Sequence, residues 1–348
     1  MTKVAFILDH PLMNYRISFF EKLSERGLDV TVIHTGGVHS LDNVSEIIVN
    51  NKEFGKLFYR NLPQLTGFDV VVCMQNIRMI NLWVLSLNPF KKYKVYHWGI
   101  GLSSSNGLSN QNYLILLIRF FLTKFARKLF LYSDYPKKIY PNKLQNKLIN
   151  VNNTIHNPYP IDTSLYEKNS FLFIGSLNER KGIEDLILAY YKYFEHHHNP
   201  LNLVIVGDGV DAYKDKVFQL VKSLGISNHV DFKGHINSFE DKKEIFSNAV
   251  ASLSLKQAGL SVLEAFSFGV PFIAYKNAIS GGEHLHIKSG YNGFLTSSLD
   301  ETSELMFRLH ENKTLSAGLG HSAYQYYLGS CTMGNMVSMF YNEINIAN

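Results

Sequence analysis

The sequence has few cysteines and lacks the short motifs that usually indicate a metal site. Only Cys73 and Cys331 occur among 348 residues, so a disulfide framework is excluded and a reducing compartment is favoured. No Asp-x-Asp triplet is present, which removes a common sign of a metal-bound nucleotide. His196, His197 and His198 are consecutive and do not form the i, i+4 pair of a helical zinc site. The sequence therefore predicts no metal site.

Long apolar runs are also absent. No stretch reaches the roughly 18 uninterrupted apolar residues that a membrane-spanning helix needs. The strand pattern KVAFIL begins at Lys3, without the basic and apolar regions of a signal peptide. Hydrophobic residues make up 46% of the chain and charged residues 18%, enough to bury a sizeable core. We therefore expect a cytoplasmic protein of two domains, each of roughly 150 residues.

Acidic residues are scarce in the first half of the chain. Residues 1–160 contain 19 Lys and Arg against 9 Asp and Glu, a net charge of +10, which leaves −5 of the total +5 for residues 161–348. A basic half indicates an anionic partner. Nucleic acid is the least favoured partner, because the chain has no zinc-finger spacing, no RNA-binding strand signature and no continuous basic helix. Membrane lipid and a lipid diphosphate are the remaining candidates.

One segment of the basic half suits a membrane surface. Residues 111–133 combine aliphatic and aromatic side chains with four basic ones, Arg119, Lys124, Arg127 and Lys128. An interfacial helix buries its apolar side chains at the headgroup boundary while its cations meet anionic lipid. A core helix with one solvated edge gives the same pattern and remains an alternative.

Strand patterns alternate with helical patterns along the chain. In the first half the strand candidates are KVAFIL, DVTVIH, SEIIV, DVVVCM, KVYHWG and KLFLYS. Such alternation is typical of a parallel, doubly wound sheet. The turn-rich segment 152–166 indicates the boundary between an N-terminal domain, 1–155, and a second domain, 156–328.

The segment KQAGLSVLE, residues 256–264, indicates a phosphate site. A Gly-Leu-Ser turn leads directly into a short apolar helix, which directs the backbone N–H groups of Gly259, Leu260 and Ser261 out of a helix N-terminus. Glu264 follows about one turn later, where a carboxylate can accept hydrogen bonds from ribose hydroxyls. This pattern predicts a nucleotide diphosphate site. An ordinary loop-to-helix junction of an α/β protein remains the alternative.

The order of motifs in the second half resembles a known family. SFLFIGSLNERKGIEDLILAY, LNLVIVGDGVDAY, HVDFKGHI and the segment around KQAGLSVLE follow one another as in the C-terminal half of the family 4 glycosyltransferases, which are retaining enzymes of the GT-B fold. The resemblance implies two Rossmann-like doubly wound domains facing a cleft, with a C-terminal helix, 329–348, packed on the N-terminal domain. It implies donor-binding roles for Gly175, Ser176, Arg180, Lys181, Gly207, Gly234, His235, Gly259, Leu260, Ser261 and Glu264.

The chain departs from the family pattern at two positions. The family loop reads Gly-Arg-Leu-x-x-x-Lys-Gly, but Ser176 occupies the place of its Arg, while Lys181 is kept. Of two family glutamates separated by seven residues, Glu264 is present and Lys256 replaces the first. We expect Lys181 to neutralise a diphosphate, Lys256 to supply further positive charge, and His97, next to a strand, to face the cleft. These three are the predicted catalytic residues.

The resemblance also assigns the first strand-to-helix loop to the acceptor, which makes Asn14, Tyr15 and Arg16 acceptor-side candidates. It predicts a metal-independent, retaining hexosyltransferase that uses a nucleotide-diphosphate sugar, with UDP favoured over GDP. The expected acceptor is a lipid-linked oligosaccharide of surface polysaccharide (O-antigen or capsule) assembly, as for similar bacterial polysaccharide-cluster enzymes. The protein is expected to be peripheral on the inner face of the membrane. A GT-B nucleotide-sugar epimerase and a catalytically silent partner subunit remain alternatives.

Overall fold

The computed structural model describes residues 1–104, 107–158 and 168–345. The chain divides into two compact units. Unit 1 comprises Met1–His156 with Thr332–Asn348, and unit 2 comprises Asn157–Cys331.

Unit 1 contains a parallel sheet. Its strands are β1 (Thr2–Ile7), β2 (Leu28–His34), β3 (Ser45–Ile48), β4 (Asn51–Phe54), β5 (Leu57–Arg60), β6 (Val70–Met74), β7 (Lys94–Gly99), β8 (Leu129–Leu131) and β9 (Leu148–Asn150). Its helices are α1 (Asn14–Glu25), α2 (Ile80–Leu87), α3 (Tyr113–Phe125) and α10 (Met333–Asn345). The sheet order is β3-β2-β1-β6-β7-β8-β9, with all neighbours parallel, and β4 and β5 form a separate antiparallel hairpin.

Buried aromatic rings hold the sheet of unit 1 against α1 and α10. Phe6, Phe19, Trp98 and Phe340 meet with ring centroids 4.9–6.3 Å apart, mostly edge to face. Such pairs add to the hydrophobic stabilisation from burial. The last described helix therefore packs on the first domain, as the GT-B prediction requires.

Unit 2 repeats the architecture. Its strands are β10 (Ser170–Ile174), β11 (Asn202–Val206), β12 (Val230–Gly234), β13 (Ala249–Leu253), β14 (Phe272–Tyr275) and β15 (Gly293–Thr296). Its helices are α4 (Ile183–Glu195), α5 (Asp211–Ser223), α6 (Phe239–Ser247), α7 (Ser261–Ser267), α8 (Leu299–Glu311) and α9 (Lys313–Ser330). The order β12-β11-β10-β13-β14-β15 reverses direction between β10 and β13. Ligands of such sheets bind beyond the carboxyl ends of the strands at this switch point.

The predicted fold class, two Rossmann-like doubly wound units, is confirmed. All six strands predicted in the first half are present. The buried ones read as continuous runs of branched and aromatic residues, as parallel strands covered on both faces do. The β4–β5 hairpin was not predicted, since β4 (Asn51–Phe54) is fully exposed and mostly polar. Within the described residues, no helix is long and apolar enough to span a membrane.

Candidate functional site

Three glycine turns form the carboxyl edge of the sheet in unit 2. Gly175, Gly207 and Gly234 lie at the ends of the neighbouring strands β10, β11 and β12, and all have positive φ. The N–H of Gly207 donates to the carbonyl of Gly234 at 2.7 Å, and that of Gly175 donates to the carbonyl of Val206 at 3.0 Å. A Cβ at Gly207 would lie 1.8 Å from the Gly175 carbonyl oxygen. Glycine is required here because two backbones touch.

Lys181 extends its side chain across this edge. Its ammonium nitrogen lies 3.8 Å from where a Cβ would stand on Gly175, and also 3.8 Å from the equivalent point on Gly259. The lysine therefore lies between the turn that follows β10 and the turn that precedes α7. Burial lowers the pKa of Lys181, while the nearby Glu283 carboxylate opposes that change. A partly dehydrated cation at this place is suited to a phosphate oxygen.

The turn before α7 offers further hydrogen-bond donors. The Cβ position of Gly259 lies 3.8 Å from the ammonium nitrogen of Lys181. Helix α7 begins at Ser261, so the first N–H groups of the helix point outward from its start. The Ser261 hydroxyl is buried and has no hydrogen-bond partner in the part of the chain that the structure describes. Buried hydroxyls are normally satisfied, so Ser261 is a candidate hydrogen-bond donor to a ligand.

Glu264 is held by an ion pair. Its Oε1 accepts from the ammonium of Lys242, on α6, at 2.7 Å, and both side chains are largely shielded from water. The ion pair uses only one carboxylate oxygen of Glu264, Oε1. Lys242 was not predicted from the sequence, because a lysine in the polar helix FEDKKEIFS resembles a solvated one.

Lys256 occupies a different position from the one predicted. Its ammonium donates to Oδ1 of Asp185, in the first turn of α4, at 2.5 Å. Its side-chain stem crosses Gly182, where a Cβ would lie 2.7 Å from the Lys256 Cγ. Lys256 therefore joins the loop of Lys181 to the loop of Gly259, and its catalytic role stays a prediction.

Reversing the charge of Lys256 should disturb these two loops. We expect Lys256→Glu to lower kcat/KM roughly tenfold or more, because two carboxylates would then face each other and shift the loop of Lys181. Steady-state assays should show recovery when Asp185→Lys is added. Lys276→Glu, at an exposed lysine after β14, is the matched control. Wild-type activity in the single variant would refute a positioning role.

Other predicted donor residues lie at the surface of unit 2. Ser176, Arg180, Gly234 and His235 are exposed, and the Ser176 hydroxyl accepts from the side-chain amide of Asn178 at 2.9 Å. The edge of the sheet brings the glycine turns, Lys181, the Gly259–Ser261 turn and Glu264 onto one side of unit 2. Arg180 and His235 are exposed and are not buried with these residues.

His97 does not lie in a loop beyond its strand. It is the fourth residue of β7, is fully buried, and its Nε2 lies 2.9 Å from the hydroxyl of Ser86 on α2. Burial lowers the pKa of His97 to about 3, so its ring is neutral at physiological pH. The prediction of a cleft-facing catalytic histidine is therefore wrong. Strand β7 extends two residues past His97, as the predicted strand KVYHWG does, so His97 lies within the strand and not beyond it.

The acceptor-side candidates start α1 in unit 1. Asn14 is exposed and Tyr15 half-buried, whereas Arg16 is buried with its Nη2 donating to the hydroxyl of Tyr132 at 2.8 Å. The Arg16 guanidinium also lies 4.3 Å from the ring centroid of Trp98. Arg16 therefore supports the loop from within, and Asn14 and Tyr15 remain accessible.

Sequence reasoning missed a buried arginine near that loop. Arg60 ends β5 with no exposed surface, and none of its guanidinium nitrogens has a hydrogen-bond partner among the described residues. Asp9, after β1, is the nearby charge that stabilises its cation, and Asp9 accepts from the Asn76 amide at 2.9 Å. The four-residue strand LFYR carried no signal for this burial.

The helix that was predicted to meet a membrane exposes an apolar face. The exposed side chains of α3 are Tyr113, Leu114, Leu117, Phe121 and Phe125, each 43–73% accessible. Lys124 and Arg127 are exposed beside them. Arg119 is not part of this surface, because it is buried and donates to the backbone and side chain of Gln75 at 3.0 and 3.2 Å. The prediction that Arg119 is one of the basic residues that meet anionic lipid is therefore wrong.

Part of the chain matches a known protein family. Residues 161–326 match the sequence model of the family Glycosyl transferases group 1. An uncharacterized glycosyltransferase of Methanocaldococcus jannaschii is 32% identical over 130 residues, 36% of this chain and 31% of that protein. The matches span about a third of the length of the curated relatives.

Solved structures share the whole fold. Sucrose-phosphate synthase from Thermosynechococcus elongatus superposes with a TM-score of 0.75 at 14% identity, covering 100% of both chains. HepE of Anabaena in complex with UDP gives 0.73 at 15% identity, covering 99% of this chain and 100% of that one. The chain has the GT-B fold, and the family match supports a glycosyltransferase.

Proposed function

We propose that the protein is a retaining, family 4-type hexosyltransferase that moves a sugar from a nucleotide-diphosphate donor to a lipid-linked oligosaccharide. The observation that carries this proposal is the meeting of the Lys181 ammonium, the unsatisfied Ser261 hydroxyl and the start of α7 at the switch point of the unit 2 sheet. Phosphate oxygens need donors of this kind, in a place shielded from water.

The proposed chemistry requires no metal at the donor. Lys181 and the N–H groups at the start of α7 stabilise the negative charge that develops on the leaving diphosphate. Glu264, held by Lys242, accepts hydrogen bonds from the ribose hydroxyls. The bond between the anomeric carbon and the diphosphate oxygen breaks, and the acceptor hydroxyl attacks from the same face. Its proton passes to the leaving diphosphate oxygen as the new glycosidic bond forms.

The donor is proposed to be a UDP-sugar. The Anabaena HepE structure, which shares the fold, contains UDP. Thermal unfolding in the presence of UDP-, GDP- and dTDP-sugars tests this choice, because only a ligand that prefers the folded state raises the melting temperature. UDP-sugars should give the largest rise. No rise with any nucleotide sugar would contradict the proposed function.

Glu264→Gln should chiefly raise the donor KM, by roughly tenfold. A carboxylate that binds ribose stabilises the ground and transition states alike, so kcat should change little. Glu304→Gln, at an exposed carboxylate of α8, is the matched control. An unchanged KM with a lowered melting temperature would mean that Glu264 is only structural.

The acceptor is proposed to be held at an anionic membrane surface, as in surface polysaccharide assembly. The exposed face of α3 supports this, because Leu114, Leu117, Phe121 and Phe125 follow one another at spacings of three or four residues and therefore lie on one side of the helix. Lys124 and Arg127 add positive charge beside that face. Apolar insertion and attraction to anionic lipid act together in interfacial helices.

Vesicle sedimentation tests the membrane surface. Wild type should bind vesicles that contain roughly 30% phosphatidylserine, an anionic fraction similar to that of natural anionic leaflets. Salt should weaken that binding. The Leu117→Ser, Phe121→Ser double variant should lose binding, and Lys124→Gln with Arg127→Gln should lose the preference for anionic lipid. Leu328→Ser, at an exposed leucine of α9, is the control. Equal binding to neutral and anionic vesicles, or none, would contradict the proposal.

One observation favours a second candidate function. Lys256 replaces an acidic residue of the resembling family, and its ion pair with Asp185 occupies a loop next to the donor site. A catalytically silent partner subunit would bind the donor without turning it over. It would show the melting shift with a UDP-sugar but no transfer to any acceptor and no slow hydrolysis of the donor.

A further inference from the structure

Two imidazole rings and a carboxylate meet in unit 1, outside the residues discussed so far. His34 ends β2, His39 lies in the loop that follows, and Glu46 belongs to β3. Nε2 of His34 and Nδ1 of His39 each lie 2.8 Å from Oε1 of Glu46. These ligand atoms all lie within 4.8 Å of one another. The His34 side chain is fully buried, and those of Glu46 and His39 are 9% and 19% accessible.

Backbone groups orient two of these three side chains from behind. Nδ1 of His34 lies 2.7 Å from the carbonyl oxygen of Thr35, and Oε2 of Glu46 accepts from the backbone N–H of His39 at 2.9 Å. Metal-ligating histidines commonly donate their other ring N–H to a carbonyl, and ligating carboxylates are commonly hydrogen-bonded through their second oxygen. Both outer contacts are therefore of the kind that fixes metal ligands.

The His34 ring has a partner at each nitrogen. Its Nδ1 lies 2.7 Å from the carbonyl oxygen of Thr35 and 3.2 Å from the backbone nitrogen of Leu12, whose N–H can donate to it. With the proton on Nε2, the ring accepts from Leu12 and donates to Glu46; with the proton on Nδ1, it donates to Thr35 and directs the Nε2 lone pair into the cluster. A metal ion among the three side chains selects the second tautomer.

We propose that His34, His39 and Glu46 bind one Zn²⁺ ion, with a fourth position open to water. Two imidazole nitrogens and one carboxylate oxygen are ligands that zinc prefers, and three protein ligands plus water complete its tetrahedral coordination. The proposed ion is independent of the donor chemistry, because its ligands belong to unit 1 and the proposed donor residues belong to unit 2.

A second cluster of similar composition is more exposed. His197 Nε2 lies 2.8 Å from Oε1 of Glu311, with His310 adjacent. The backbone N–H of Asn199 donates to Nδ1 of His197 at 3.1 Å, much as that of Leu12 approaches His34. Burial distinguishes the two clusters, because the Glu311 side chain is 56% accessible and that of Glu46 is 9% accessible.

Zinc at this site would stiffen the loop that leads to the acceptor-side candidates. Gly36, at φ +115, packs so tightly on Pro11 that a Cβ would lie 2.9 Å from the Pro11 Cβ. The Leu12 N–H also approaches the His34 ring. The ion would thus join β2 and β3 to the loop 9–13, directly before Asn14.

Isothermal titration of the metal-stripped full-length chain with ZnCl₂ tests the site, together with melting curves with and without zinc. Wild type should bind one ion and melt at a higher temperature with zinc. His39→Gln keeps an N–H donor for Glu46 but removes the ligand, so we expect at least about 100-fold weaker binding and no zinc-dependent shift. The metal-free melting temperature of this variant should stay close to that of wild type.

Two control variants separate this site from other histidines. His321→Gln, at an exposed histidine of α9, and His197→Gln, in the second cluster, should both bind zinc like wild type. The proposal is overturned if wild type binds no zinc, if His39→Gln binds as tightly as wild type, or if His197→Gln rather than His39→Gln abolishes binding.

Discussion

Lys181→Ala is expected to lower turnover by roughly 10²–10³-fold with little change in fold stability. The Lys181 ammonium lies between Gly175 and Gly259. The packing of this turn does not depend on the charge of the lysine. Its pKa is lowered by burial, which indicates that it has lost part of its hydration. A partly dehydrated cation stabilises the developing charge of a leaving diphosphate more than a hydrated one does.

Single-turnover and steady-state assays, with melting curves of each variant, measure this effect. Lys181→Arg should recover part of the turnover, since the charge is kept but the geometry changes. Lys222→Ala, at an exposed lysine of α5, should match wild type. An alanine variant that keeps more than half of wild-type turnover would remove Lys181 from the proposed mechanism.

Gly207→Ala is expected to destabilise the protein by about 3 kcal/mol or more. Its Cβ would stand 1.8 Å from the carbonyl oxygen of Gly175, and its φ of +143 disfavours any side chain. The loops after β10 and β11 would have to separate, which would also displace the turn that positions Lys181. Donor affinity should therefore fall even at temperatures where the variant is folded.

Urea denaturation, followed by circular dichroism, measures the free energy of unfolding. Gly318→Ala is the matched control, because Gly318 lies in α9 with nothing within 4 Å of its Cβ position and should gain about 0.5–1 kcal/mol from helix propensity. If Gly207→Ala unfolds at the same urea concentration as wild type, the close approach of the two loops is not required.

The fold could be predicted from the sequence because its signals are local. Runs such as VVVCM and SFLFI are buried throughout, and parallel strands covered on both faces need such runs. Gly259 was predicted from the turn that precedes a helix. Gly175, Gly207 and Lys181 were named as donor-binding residues from the resemblance to a family.

The roles of individual charged side chains could not be predicted in this way. Lys256, Arg119 and His97 were each placed by type and position, and each is held by a partner distant in sequence: Asp185, Gln75 and Ser86. A charge in a local pattern does not reveal whether it meets solvent, a ligand or a buried partner. The structure shows the partners of all three, which a local pattern does not encode.

The sequence by itself therefore determined two parallel α/β units and most of their strands and helices. Only the tertiary structure decided that Glu264 pairs with Lys242, that the Arg60 guanidinium is buried without a hydrogen-bond partner among the described residues, and that His34, His39 and Glu46 converge. Hydrophobic periodicity is a property of neighbouring residues, whereas an ion pair or a ligand cluster depends on which loops the sheet order brings together.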